Sequence, residues 1–145
     1  MRNILLSVLT VALLSPAVAL ACDGDGEHVG KVTVTDGAKL TKTKEAVFVD
    51  ANSAETRSKH GVIPGAVLLT SYTEYDPSKE LPAAKDKKLV FYCANERCSA
   101  SHEAAKKAMG AGYTNVAVLP DGIMGWKQAG LPTAKPAPAV KGNAS

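Results

Sequence analysis

Three observations predict an α/β fold with a parallel sheet covered by helices on both faces. Short apolar runs of strand length alternate along the chain with segments of helical periodicity. Several of the runs, such as Val47-Phe-Val49 and Leu89-Val-Phe-Tyr92, are apolar throughout, the pattern of strands buried on both sides. Glycine and proline mark the joins between elements. At 145 residues, most of the chain is sized for one domain.

The first segment stands outside that domain. Arg2 precedes an apolar run over residues 4–14, and Ser15-Pro16 and Ala19-Leu20-Ala21 follow. A charged start, an apolar centre and a small-residue exit are the order of a secretory signal peptide, here residues 1–21. Cleavage after Ala21 leaves Cys22 as the first residue, and an uncleaved N-terminal anchor is the competing reading. A lipoprotein signal also ends at a cysteine. It carries an apolar residue three before that cysteine and a small one two before, where this chain has Ala19 and Leu20, so Ala-x-Ala cleavage fits better than lipidation of Cys22. The expectation is a bacterial exported protein, periplasmic or secreted, which contacts a membrane only if Cys22 is lipidated or the N-terminal segment is retained.

Residues 22–30 read as a flexible acidic segment; Asp23, Asp25 and Glu27 lack the remainder of a calcium loop. Residues 31–35 (Lys-Val-Thr-Val-Thr) alternate and are β-branched, which predicts an edge strand. Residues 36–44 are polar and compatible with a short helix. Residues 46–50 form a second, buried strand ending in Asp50, and Ser53 is the N-cap of a helix through about residue 59. A turn over residues 61–66 leads to a third strand at 67–69. Residues 71–86, broken by Pro77 and Pro82, read as loop with one helical turn. A fourth strand follows at 88–92. The strongest helix spans 99–109, with Ala100, Ala104, Ala105, Ala108 and Met109 on one side, Lys106 and Lys107 on the other, and Gly110 and Gly112 at its end. A fifth strand at 115–119 and a helix at 122–129, stopped by Gly130 and Pro132, complete the domain. It is thus placed at residues 31–132, and a Pro/Ala/Lys-rich disordered tail at 133–145.

Cys93 is the candidate reactive residue. It lies at the carboxyl end of a buried strand, where ligands of parallel sheets bind. The helix that follows opens with N–H groups lacking intrahelical partners, a setting that favours an anion and hence a thiolate. A free cysteine with a pKa near about 8.5 is about 3% thiolate at pH 7, and one lowered to about 6.5 is about three-quarters thiolate. Three cysteines in an exported chain leave an odd one. Cys98, at the first helical turn, is either a resolving thiol for Cys93 or a small apolar residue. Asp50 reads as an acid accepting N–H bonds near the next helix, and Trp126 as core.

The motifs occur in an order that resembles the rhodanese-like domain family, in particular its small exported single-domain members. Over residues 35–132 these are Val47-Phe-Val-Asp50 followed by Gly61-Val-Ile-Pro-Gly-Ala66, the loop beginning Tyr92-Cys93, and Gly112-Tyr113-Thr-Asn-Val116 with Asp121-Gly122, Trp126 and Gly130-Leu-Pro132. The resemblance implies a five-stranded parallel sheet with helices on both faces. It also implies a sulfurtransferase in which Cys93 carries sulfane sulfur as a persulfide, inside an active-site loop of Ala94, Asn95, Glu96, Arg97, Cys98 and Ser99 whose N–H groups form an anion nest. Asp50 is a supporting residue in that picture. The implied partners are a small sulfur donor, thiosulfate or another persulfide, and a cyanide, thiol or protein-thiol acceptor. No cofactor or metal is expected.

The chain departs from the family pattern around the loop. Cys98 stands where many relatives have arginine, Asn95 and Glu96 where many have glycine, and Asp50-Ala51-Asn52 where Asp-Val-Arg is common. Two other function classes fit the same residues: a thiol–disulfide protein cycling Cys93 and Cys98, and a non-catalytic rhodanese-like binding module. The four residues between the cysteines differ from a Cys-x-x-Cys redox motif. Phosphatase-type chemistry needs arginine where Ser99 stands. The formal charge, +3 for the chain and +2 without Arg2, carries no basic cluster interleaved with aromatics, and no nucleic-acid partner is expected.

Overall fold

The computed structural model describes residues 29–136. The expected signal segment, Cys22, the acidic stretch through Glu27 and the tail from residue 137 lie outside the described residues. The expected α/β architecture is present. Five strands, β1 (Gly30–Lys31), β2 (Ala46–Asp50), β3 (Val67–Leu68), β4 (Lys88–Tyr92) and β5 (Val116–Leu119), form one parallel sheet in the order β1-β5-β4-β2-β3. The helices are α1 (Val34–Thr43), α2 (Ala54–His60), α3 (Pro77–Glu80), α4 (Ala100–Gly110) and α5 (Gly122–Gln128).

Strand periodicity divides the core. Leu89, Phe91 and Cys93 point to one face, where Ala104, Ala105 and Ala108 of α4 cover them together with Tyr75 and Leu81. Val90 and Tyr92 point to the other, against Ile123 and Trp126 of α5, with Val34 and Ala38 of α1 alongside. The alanines let α4 lie close to the sheet. Burying a strand side chain such as Leu89 or Phe91 contributes roughly 1.5–3 kcal/mol each, which explains why the uniformly apolar runs mark β2 and β4 to within a residue at each end.

The strand expected over residues 31–35 ends at Lys31 instead. Thr33 has the extended backbone of an N-cap, and its Oγ1 accepts from the Asp36 N–H at 3.1 Å. That local bond competes with strand pairing and starts α1 at Val34, so the polar segment after it is a full ten-residue helix. Gly37 on α1 faces the rings of Trp126 and Phe48, with room for no larger side chain unless these shift. The remaining elements agree with expectation within a residue or two. Ser53 caps α2 by accepting from the Thr56 N–H, and the one helical turn in the 71–86 connection is α3, capped by Asp76.

Two domain edges extend further than expected. Gly30, assigned to the flexible segment, pairs with Ala117 in the sheet. Beyond Pro132, Ala134 exchanges both backbone hydrogen bonds with Val62, at 2.8 and 2.9 Å. Gly61 makes room for this: a side chain there would press on Thr133 and the Ala134 carbonyl. Among the described residues, no helix is long and apolar enough to cross a membrane.

The sheet order puts a switch point between β2 and β4. The connection after β2 runs outward to β3, and that after β4 runs the opposite way to β5. A crevice opens at the carboxyl ends of strands whose connections diverge in this way. Asp50 and Tyr92 are in register there, and Cys93 follows immediately. The segment after β5 returns to the same edge: Ile123 and Met124 at the start of α5 donate to the carbonyls of Cys93 and Ala94, at 2.9 and 3.0 Å. Gly122 permits that approach. It has φ +58°, and a Cβ on it would overlap the Cys93 carbonyl and come within 2.7 Å of the Ala94 oxygen. Gly112 also has positive φ, at +91°, but stands in open space. G112A is therefore expected to cost only backbone strain, about 1–2 kcal/mol, whereas G122A adds displacement of the cysteine loop and loses clearly more. Denaturant unfolding of the two variants checks this; equal losses would show that α5 does not lock the loop.

Candidate active site

Cys93 lies beneath the first turn of α4 and is 1% exposed. Strand parity aims its side chain at the α4 face, and the apolar surroundings of Phe91, Ala100 and Ala104 keep water away. The Ser101 hydroxyl is 3.4 Å from Sγ, and the Ser101 N–H also points to the sulfur. These two donors are the part of the expected helix-N-terminal setting that reaches the sulfur. Ser101 was not among the sequence candidates. Its place two residues into a helix beginning after Ser99 was the available signal, since such a residue turns its N–H toward whatever precedes the helix.

The rest of the loop differs from an anion nest. The Cys98 N–H donates to the Asn95 carbonyl at 3.0 Å, and the Arg97 N–H to the Asn95 side-chain oxygen, also at 3.0 Å. Carbonyls face the sulfur instead: that of Cys98 at 3.1 Å and that of Asn95 at 3.9 Å, each able to accept from the thiol. Burial pushes the Cys93 thiol up to about 11, and the Cys98 side chain against it acts in the same direction, while Ser101 partly opposes them. The thiolate expected from the strand–loop–helix geometry is thus replaced by a neutral thiol. Burial in an apolar shell outweighs two donors, because a buried sulfur anion forfeits its hydration.

The other loop residues divide by exposure. Asn95, Glu96, Arg97 and Ser99 are exposed, whereas Ala94 and Cys98 are half-buried. Ser99 precedes α4 without a side-chain cap bond. Asn95, Glu96 and Arg97 form one wall of a cleft of about 370 Å³, whose other wall is Asp121, Met124 and Gln128. Glu96 therefore points to solvent at the mouth, and the mouth carries two acids and one base.

Asp50 is separated from Cys93 by the sheet. It shares the parity of Phe48, on the face opposite Cys93, and is 0% exposed. Its Oδ1 accepts from the Asn52 N–H at 2.7 Å and from Arg57 Nε at 3.1 Å. Arg57 Nη2 donates to the carbonyls of Asp50 and Leu69, both at 2.9 Å, so one guanidinium ties β2, α2 and the end of β3 together. Burial and the nearby Asp50 carboxylate hold the Tyr92 phenol far above its usual range, and its oxygen accepts from the Ile63 N–H. These contacts match the expected N–H-accepting acid. Arg57 was not singled out in the sequence, because it is one of several charges on a short polar helix.

Two outcomes follow. Alkylation of Cys93 by iodoacetamide is expected to rise about tenfold per pH unit toward about 11, because only the thiolate reacts and its fraction grows at that rate below the pKa. Peptide-resolved mass spectrometry reads this rate; a plateau near pH 7 would contradict a buried neutral thiol. R57A is expected to lose about 3–5 kcal/mol in urea unfolding, because it strands a buried carboxylate; a loss below about 1 kcal/mol, the worth of an exposed ion pair, would contradict this.

Comparison with known proteins agrees with this architecture. The chain is 29% identical over 130 residues to the HTH-type transcriptional regulator Rv0324 of Mycobacterium tuberculosis, covering 90% of this chain and 56% of that protein. It thus spans little more than half the length of that relative. It is 29% identical over 133 residues to the uncharacterized protein YibN of Escherichia coli K12, covering 90% of each. Among solved structures, the human single-domain sulfurtransferase TSTD1 superimposes with a TM-score of 0.56 at 23% identity, over 70% of this chain and 97% of that one. The Rhodanese-like domain model matches residues 33–129, a span that holds every element from α1 to α5 and the Cys93 loop, and the chain belongs to the rhodanese-like domain family.

Proposed function

We propose that the protein is a sulfurtransferase that carries sulfane sulfur as a persulfide on Cys93. The observation that carries this reading is the position of Cys93: a thiol at the switch-point end of β4, under the first turn of α4, with the Ser101 hydroxyl and N–H on its sulfur. Family membership and the fold shared with a sulfurtransferase support it. With thiosulfate as donor, Cys93 Sγ bonds to the sulfane sulfur, the donor S–S bond breaks, sulfite leaves with the electron pair, and the thiol proton ends on the outer persulfide sulfur. Cyanide or a thiol then takes that sulfur and restores the Cys93 thiol.

The resting thiol is neutral and shielded, so ionisation accompanies loop opening or donor arrival. Glu96 and Asp121 beside a single Arg97 at the mouth disfavour a dianion. Organic persulfide donors, with at most one charge on the sulfur, therefore suit the site better than thiosulfate does. The N-terminal segment, with its charged start, apolar run and Ala19-Leu20-Ala21, supports export. N-terminal analysis of the protein from a bacterial periplasmic fraction tests that reading: an unmodified Cys22 at the first position supports it, and an intact Met1 in the cytosol opposes it.

The sulfur-carrying role is tested by intact mass under non-reducing conditions after exposure to thiosulfate or inorganic polysulfide. A gain of one sulfur atom, removed by cyanide and absent in C93S, is expected of Cys98→Ser, the form in which Cys93 is the sole loop thiol. No gain with either donor would leave a binding role for the domain.

A further inference from the structure

We propose that Cys98 is the resolving thiol of this site: it attacks the Cys93 persulfide and releases its sulfur as hydrogen sulfide. This rests on the persulfide reading above and specifies the fate of the sulfur.

The loop places the two cysteines together. Four residues separate them, and the Asn95 carbonyl, accepting from the Cys98 N–H at 3.0 Å, folds the intervening chain into a tight turn. That turn brings the Cys98 carbonyl to 3.1 Å from Cys93 Sγ and packs the Cys98 side chain against the buried cluster that holds Cys93. Both cysteines are free thiols in the structure. Their exposures differ in the useful direction: Cys93 is buried, and Cys98 is half-buried. An external acceptor meets a sulfur closed in by the Asn95 and Cys98 carbonyls and the Ser101 hydroxyl. Cys98 is the neighbouring loop thiol, packed against the same cluster.

The step balances without an outside oxidant. The Cys98 sulfur bonds to Cys93 Sγ while the bond from Sγ to the outer sulfur breaks. The outer sulfur takes the electron pair and the Cys98 proton and leaves as hydrogen sulfide; it is reduced, and the two cysteines are oxidised to a disulfide. A dithiol reductant then supplies two electrons and two protons to restore both thiols.

The full-length protein and C98S are each exposed anaerobically to inorganic polysulfide and desalted without added thiol. Sulfide release, intact mass and peptide mapping are followed, with C93S as control. In the wild type, sulfide release is expected together with loss of two hydrogens, mapped to a Cys93–Cys98 disulfide and not to Cys22. C98S is expected to lose that release and to keep the added sulfur on Cys93. A wild-type protein that holds its persulfide as long as C98S does, or that moves the sulfur onto Cys98, overturns the proposal while leaving the persulfide reading intact. Absence of added sulfur in C98S overturns both.

Discussion

The site depends on the seating of α5 against the loop that follows β4. The backbone of Cys93 and Ala94 has left the sheet, so its carbonyls have no strand partner. The N–H groups of Ile123 and Met124 fill that role. At the same time they satisfy donors at the start of a helix that has no earlier carbonyls to use. Leaving such buried groups unpaired costs roughly 1–3 kcal/mol each. Two separate ends of structure thus complete each other, and Gly122 is the residue small enough to let them touch. Trp126, one face of α5 further on, anchors the helix by packing on Phe48 and donating to the Pro132 carbonyl at 2.9 Å.

From that seating follows the separation of chemistry from support. Consecutive strand residues face opposite sides, so Tyr92 and Cys93 belong to different layers. The Tyr92 layer, with Asp50 and Arg57, holds the ends of β2 and β3 in place through buried polar contacts. The Cys93 layer is largely apolar, with Ser101 and the loop carbonyls as the polar groups at the sulfur. Such a layer holds the Cys93 thiol in a closed, neutral state: it is protected from solvent while α4 keeps its first-turn donors aimed at it.

Much of this was legible in the residues. Residues 46–49 and 89–92 are uniformly apolar because both faces of those strands are covered, and β2 and β4 extend each run by one residue, Asp50 and Lys88. Ser53 marked the start of α2 through its side-chain oxygen. Residues 31–35 misled because Val32 and Val34 alternate as in a strand; the competing signal was Thr33-Val-Thr-Asp36, a capping pattern whose local bond starts α1. At the site, Cys93 was legible from its strand–loop–helix setting. Ser101 and Arg57 were not, since a serine within a helix and an arginine on a polar helix are ordinary surface residues until tertiary contacts turn them inward.

By itself the sequence determined the class of fold, the strand carrying Cys93 and the cysteine pair spaced by four residues, because these follow from periodicity, apolar content and local order along the chain. Only the tertiary structure decided the ionisation of the thiol, the partners of Asp50 and the direction of the loop's backbone groups. Those depend on how far water is excluded and on which groups from distant segments arrive. In the turn after β4, burial and the Cys98 side chain outweigh the Ser101 donors of α4, and the balance between them is set by packing across the sheet.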